Sequence, residues 1–406
     1  MSRDDPELLD EQAQPLEEKD EEVEDVDAGV PDAKPPTAEE SLRYFGVDFD
    51  VSGLVRRFQK GDIVVPSFDP PGDLGKIEGF QRQFVWPKKQ MDRFIESLLL
   101  GYPVPGIFLV EQPDRKYLVL DGQQRLRTLL AFYEGEYKQF ARNGDEQTYD
   151  FALESVGDDF IGLTYANLSD ADRRLLDSTL IQATVVIPKQ DNLEAVYFVF
   201  ERINSGGIKL QPQEIRVALY SGELIHLLRE LNSNEAWRSI FGRVHSRLKD
   251  HELILRYLML TETGSILEKY NWDSDLARKS ADAEKLYQAG MNSSLNRFLQ
   301  AHRSLEDLDK DKIVDEFNQT VTLLNKALGK KALRPRGNVN AAHTDAILVA
   351  LTLAIRRGFE LTPEDVATKI TALLDDKDYL KAILESTAHL ESVLTRLCIA
   401  GKTFTT

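Results

Sequence analysis

Asp121-Gly122-Gln123-Gln124-Arg125 gathers a carboxylate, two primary amides and a guanidinium around one glycine. The apolar run Tyr117-Leu118-Val119-Leu120 precedes it, and Leu126-Arg127-Thr128-Leu129-Leu130 follows. That order predicts a strand feeding a helix through a tight turn. The first N–H groups of such a helix have no partner inside it, and the positive end of its dipole points the same way. The turn is therefore a natural seat for a phosphate-bearing ligand. Arg125 would add a charge-assisted bond, whereas Asp121, which repels phosphate, would hold Mg²⁺ or orient an attacking water. The same residues also read as an ordinary helix start, with Asp121 as N-cap and Arg125 as surface charge.

A second polar group stands at Phe200-Glu201-Arg202-Ile203-Asn204-Ser205-Gly206-Gly207, where a helix from Asn192 is expected to end. Two glycines there permit close approach of backbone to a ligand, and Arg202 and Asn204 flank the turn. A plain helix–turn–helix corner explains the same glycines. Gln211-Pro212-Gln213-Glu214 then opens another helix, with Pro212 at N1 and Glu214 at N3. Upstream, Arg82, Gln83 and Trp86 precede an amphipathic helix; a Trp in that place is more often core than a stacking platform. Glu252 and Arg256, spaced i, i+4, read as an exposed or domain-contact salt bridge.

Other chemistries drop out. Neither G-x-x-x-x-G-K-[ST] nor G-x-G-x-x-G occurs, and the six histidines (226, 245, 251, 302, 343 and 389) show no zinc spacing. The lone Cys398 makes an internal disulfide and a cysteine zinc site impossible. Glu136-Tyr137-Lys138 faintly echoes the acid-plus-E-x-K pattern of metal nucleases, but the helix expected between Asp121 and Glu136 separates the parts.

These residues need elements to hold them. Pro87 is expected at helix N1, with Met91, Phe94, Ile95, Leu98 and Leu99 on one face, Gly101 as C′ residue and Pro103 as a stop. Ile107–Val110 and Tyr117–Leu120 read as a hairpin whose continuously apolar strands call for cover on both faces. A strand at Ile181–Ile187 follows a helix near 170–178. Beyond Asp191 helical spacing predicts Asn192–Ile203, Gln213–Tyr220, Leu224–Leu231, His251–Thr261, Ala281–Ala301, Lys312–Leu328, Thr344–Arg356, Pro363–Leu374 and Asp378–Leu397.

The charge is concentrated at the start of the chain. Residues 1–40 hold sixteen Asp/Glu against three Lys/Arg, so −13 of the net −18 lies there. With five prolines and few large apolar residues, this leader is expected to be a disordered acidic tail that covers a basic groove at most. It has no basic n-region or apolar h-region, and Ala346–Ile355 is too short to cross a bilayer, so no membrane partner and a cytoplasmic location are expected.

Five separated motifs carry a resemblance. Phe80-Gln81-Arg82 with Trp86, Gly101-Tyr102-Pro103-Val104-Pro105, Asp121–Arg125, Phe200–Gly207 and Pro212-Gln213-Glu214-Ile215-Arg216 occur in one order. Together they resemble the N-terminal domain family of GmrSD-type modification-dependent restriction endonucleases, over roughly residues 41–260. Composition and spacing predict an α+β chain with a disordered tail at 1–40 and an all-helical domain at 206–406, and the resemblance implies a ParB/sulfiredoxin-like nucleotide-binding domain at 41–205. It implies an NTP with Mg²⁺, Asp121 and Arg125 as catalytic residues, and Gly122, Gln123, Gln124, Arg82, Gln83, Arg202 and Asn204 around the nucleotide. No residue is carried over as a ligand in a protein metal cage.

The family's full-length members often continue into an HNH-type nuclease, for which this chain has no motif; His343, in Ala-Ala-His-Thr-Asp, lacks the expected partners. The chain thus resembles a nucleotide-hydrolysing sensor or regulatory subunit of a defence system, acting on DNA through a separate nuclease or effector. Its competitors are a non-enzymatic module that recognises modified DNA or scaffolds a nuclease, and a standalone nuclease. Outside the leader the charge is only −5, so no broad basic footprint favours sequence-independent DNA binding.

Overall fold

A computed structural model describes residues 21–24, 42–65, 86–112, 114–140, 146–189, 192–203, 211–288 and 290–405. It opens with strand β1 (Val23–Glu24), followed by β2 (Leu42–Asp50), helix α1 (Val51–Gln59), β3 (Ile63–Val64) and α2 (Lys88–Leu99). Next come β4 (Ile107–Glu111), β5 (Tyr117–Asp121), α3 (Gln123–Glu134), β6 (Glu136–Phe140), β7 (Glu146–Asp150), α4 (Asp170–Ser178) and β8 (Leu180–Pro188). The order β2-β8-β4-β5-β3 forms one mixed sheet: β4 runs parallel to β8 and antiparallel to β5, as the hairpin reading requires.

Alternation along these strands fills two cores. Ile107, Leu109, Val119, Ile181, Ala183 and Val185 pack with α1–α4 on one face. Val110, Leu118, Leu120 and Val186 point to the other, where they join the helical region. The expectation of cover on both faces is met. The start of α2 differs by one residue: Pro87 is N-cap and the helix begins at Lys88. Its end matches, because Gly101 at φ +69 lets Tyr102 N–H reach the Ser97 carbonyl (2.8 Å) and Gly101 N–H the Leu98 carbonyl (3.1 Å).

The helical part comprises α5 (Leu193–Ile203), α6 (Pro212–Leu219), α7 (Glu223–Asn232), α8 (Glu235–Phe241), α9 (Lys249–Lys269), α10 (Ser274–Arg278), α11 (Met291–Ala301) and α12 (Lys310–Leu328). The short β9 (Val339–Asn340) then leads to α13 (Ala341–Arg356), α14 (Pro363–Asp375), α15 (Lys377–Leu384) and α16 (Leu390–Thr405). Two expected helices are broken. Of Ala281–Ala301 only α11 is an α-helix, because Gly290 takes φ +100 and Tyr287 is drawn away to Thr263 Oγ1 (2.9 Å) and the Ala388 carbonyl (2.6 Å). Asp378–Leu397 splits between α15 and α16, with Ser386 at φ +47. Glu21–Glu24 fall within the stretch expected to be a disordered tail, yet they are ordered, and β1 lies parallel to β9.

Charge inside the helical region is paired over long sequence distances. Arg256 was expected to pair with Glu252 near the surface; instead it is buried, with its Nη2 2.7 Å from Asp345 Oδ2. Arg396 Nη2 reaches the same oxygen at 2.9 Å, so one buried carboxylate binds two buried guanidinium groups. In the first turn of α9, burial pushes the Asp250 carboxyl up, but His251, Arg238 (2.9 Å) and Asn232 (3.0 Å) outweigh it and hold the pKa well below the carboxylate range. His343 is a core residue, its ring between the Tyr379 hydroxyl (2.8 Å) and the Ala332 carbonyl (3.1 Å).

Two stability measurements follow from this packing. Asp345→Asn leaves two buried cations without their neutralising charge and should cost about 3–5 kcal/mol in chemical denaturation; a loss below about 1 kcal/mol would show that Arg256 and Arg396 are not mutually dependent on it. Burial lowers the His343 pKa from 6.5 to about 4. Between those values the unfolded chain binds a proton that the folded chain refuses. Stability should therefore fall as pH drops from 6.5 toward 4, by up to about 1.4 kcal/mol per unit. Denaturation midpoints of His343→Gln should show a shallower acid slope than wild type.

Candidate functional site

β5 ends at Asp121, and Gly122 turns the chain into α3 with φ +99. A side chain is excluded there twice over. The left-handed φ disfavours any other residue, and an added Cβ would overlap the Ile107 side chain. Gly106 is similarly tight, since a Cβ on it would come within 2.6 Å of the Gln182 carbonyl oxygen. The two glycines let the end of β5 and the starts of β4 and β8 close together at one edge of the sheet.

The N-cap of α3 is Gly122 rather than Asp121, and no side chain caps the helix. The first helical bond is Leu126 N–H to the Gly122 carbonyl, 3.0 Å. Asp121 instead accepts from Arg125 Nη2 at 2.6 Å, and that nitrogen also donates to the Gly106 carbonyl at 3.0 Å. Asp121 stays 39% exposed while Arg125 is only 12% exposed, so the carboxylate meets solvent and the guanidinium backs it. Arg125 is thus no free surface charge. Its Nε is buried and has no partner among the described residues. Gln124 turns inward, its Oε1 accepting from the Trp86 backbone N–H (3.1 Å), and Trp86 packs edge-on to Phe94. Gln123 is half-buried.

The other expected residues divide. Arg82, Gln83 and Asn204 lie outside the described residues. Arg202 is exposed in the last turn of α5. No hydrogen bond or ion pair joins Arg202 to the Asp121–Arg125 turn among the described residues.

Pro212–Arg216 has a supporting role. Pro212 and Glu214 occupy N1 and N3 of α6 as expected, and the Glu214 carboxylate accepts from the Gln211 N–H. Burial pushes the Glu214 carboxyl up although Arg247 grips both its oxygens, at 2.8 and 2.9 Å. Fully buried Arg216 ties α6 to α9 through Glu252 (3.2 Å) and to α11 through Asn296 (3.0 Å). Gly106 and Ile107 were missed as parts of the site. The Gly101–Pro105 motif stopped one residue short of them, and their role comes from contacts across strands that no local spacing records.

Gly122→Ala should strain the turn and push on Ile107. The left-handed conformation alone costs about 1–2 kcal/mol, and overpacking adds about 1–3 kcal/mol. A melting curve unchanged from wild type would show that Ile107 can retreat and that the close approach is not obligatory.

Comparison with protein-family models gives one match. The model described as the GmrSD restriction endonuclease, N-terminal domain, matches residues 67–221, a span that includes every motif from Arg82 to Arg216. No curated protein matches the chain. Over residues 67–221 the chain is therefore similar to the N-terminal domain of the GmrSD restriction endonuclease.

Proposed function

We propose that this chain is a nucleotide-binding and nucleotide-hydrolysing sensor subunit of a defence-related restriction system, controlling a separate nuclease or effector. One observation carries the reading: an uncapped helix N-terminus, the solvent-facing Asp121 carboxylate and the unpartnered Arg125 Nε converge on one turn. The backbone N–H groups of Gln123, Gln124 and Arg125 are suited to phosphate oxygens, and the Arg125 guanidinium, on leaving Asp121, would add a charge-assisted donor. Asp121 is suited to orient a water and take its proton at Oδ1 or Oδ2. Arg202 and the stretches that include Arg82, Gln83 and Asn204 complete the proposed nucleotide site.

The donor set fits Mg²⁺·NTP in a particular way. Among the described residues no group of three or more His, Cys, Asp or Glu side chains could hold a metal. Asp121 would be the single carboxylate, and the phosphates would supply other ligands, a usual arrangement for Mg²⁺. Bound there, the metal would neutralise charge on the β- and γ-phosphates. The mixed sheet and its β5–Gly122–α3 turn agree with the ParB/sulfiredoxin-like fold that the resemblance implies.

A nucleotide panel incubated with purified chain, with and without modified DNA, tests this reading. Wild type should bind and hydrolyse an NTP. Asp121→Asn should lower turnover by about 10²–10⁴. It should weaken binding of the Mg²⁺·NTP, because the one protein carboxylate is lost, while metal-free nucleotide binds several-fold more tightly, because a charge that repels phosphate is gone and Arg125 is released. Arg125→Gln should weaken binding about ten- to a hundredfold, the loss of one charge-assisted bond. Wild type that neither binds nor hydrolyses any NTP under any condition sinks the proposal. Salt-dependent binding of modified DNA that survives Arg125→Gln, without turnover, would identify a non-enzymatic recognition or scaffolding module.

A further inference from the structure

Far along the chain from the Asp121 turn, the end of α8 carries a prepared seat for a carboxylate. Arg334 Nη1 donates to the carbonyls of Ile240 (2.7 Å) and Lys330 (2.9 Å), and Nη2 to that of Phe241. These bonds close off the C-terminus of α8 and fix the guanidinium, which is 12% exposed. Its Nη2 also reaches Glu21 Oε2 at 2.8 Å, while Lys330 lies 3.5 Å from Glu21 Oε1. Gly242, at φ +118, makes room: a Cβ there would overlap the Glu21 carboxyl group. Beside the seat, β9 offers a strand edge, and Val339 N–H donates to the Glu22 carbonyl at 3.2 Å. Asn338 Nδ2 reaches Glu22 Oε2 (3.2 Å) and Glu24 Oε1 (3.4 Å), and Val23 packs against the helical core.

A fixed guanidinium, an open strand edge, an amide and an apolar contact in this order are the parts of a β-augmentation site. They match an extended segment with acidic residues on either side of a small apolar one. We propose that the Arg334–Asn338 groove is a binding site for extended acidic peptides, with Glu21–Glu24 of this chain as its resident ligand, held in cis as a reversible latch. The contact is small, with one two-residue ladder and partly exposed ion pairs, so its strength falls with salt. Seventeen residues separate Glu24 from Leu42, a reach of up to about 60 Å. Such a tether lets the latch open and rebind without leaving the molecule. Burial raises the Glu21 carboxyl pKa, but Arg334 and Lys330 outweigh it and hold it below the usual value. The ion pair persists above the ordinary Glu range and weakens as pH falls through the lowered value.

The test uses the full chain with Glu21→Lys and Glu24→Lys, which disarms its own latch, and a labelled synthetic peptide of residues 17–28. The peptide should bind the disarmed chain, at least tenfold more weakly to wild type, whose own leader competes, and more weakly still at high salt. Hydrogen exchange at the Val339 amide should be at least tenfold faster in the disarmed chain and slow again on adding peptide. Because Arg334 also secures α8, the site variant is Lys330→Glu with Asn338→Ala in the disarmed background, which should lose peptide binding while remaining folded. A folded, disarmed chain that does not bind the peptide, equal peptide binding by the site variant, or unchanged Val339 exchange would each overturn the proposal.

Discussion

A sheet whose middle strands are apolar on both faces leaves itself only strand ends for polar chemistry, and that constraint governs the position of everything else at the site. β4, β5 and β8 are covered by α1–α4 on one side and by the helical region on the other. A charged residue in the middle of β4 or β5 would be stranded in a core without water, whereas β8 keeps Gln182 and Thr184 on its less covered face. Asp121 is tolerated because it is the last residue of β5, where the sheet opens to solvent. Gly122 then turns the chain so sharply that the N-terminus of α3 sits at the same edge, and Gly106 allows the neighbouring strands to begin there too. The polar turn is placed by the greasiness of what precedes it.

The helical region obeys the complementary rule, in which charge is buried but never alone. Asp345 serves two arginines from different helices, Glu214 is held by Arg247, and Asp250 by Arg238, His251 and Asn232. Each arrangement exchanges hydration for directional bonds, so its value is mainly geometric: a helix that slid or rotated would leave a bare charge behind. α9 takes part in two of them, through Asp250 and Arg256, and its Glu252 pairs with Arg216 besides. Arg216 connects this network to α6, inside the matched family domain, so the two parts of the chain are joined by ion pairs as well as by a shared core.

Local periodicity made much of the frame readable. The hairpin, the Gly101 stop, α3, α4, β8 and most helices beyond residue 191 fall where spacing puts them, because each depends on neighbours three or four positions away or on strand alternation. Partner choice was not readable in this way. Glu252 and Arg256 have ideal helical spacing, yet Arg256 pairs with a residue 89 positions away. The breaks at Tyr287–Gly290 and at Ser386 depend on contacts with distant elements. β1 was hidden for a different reason: a two-residue strand rich in Glu has the composition of a tail, and its partners, among them Arg334, Asn338 and the edge of β9, lie more than 300 residues away. At the site, the type and order of Asp121–Arg125 were readable, but the clasp between its ends was not.

That clasp changes what the turn can select. A free arginine at a helix N-terminus attracts any anion, including chloride and single carboxylates. Here the guanidinium already has a carboxylate at 2.6 Å and a carbonyl at 3.0 Å, so the side chains of the turn are electrically balanced at rest. A monovalent anion gains little by displacing a carboxylate that is covalently tethered four residues away. A polyphosphate brings several charges and many acceptor oxygens, and on the proposed reading it would engage the backbone donors of α3 and the Arg125 guanidinium together. It need not expel Asp121 from the turn. On the proposed reading, seating the phosphate would loosen the Asp121–Arg125 bond and so free the carboxylate to face a water. On that same reading, the pair that disfavours weak anions would also be the pair that releases the base.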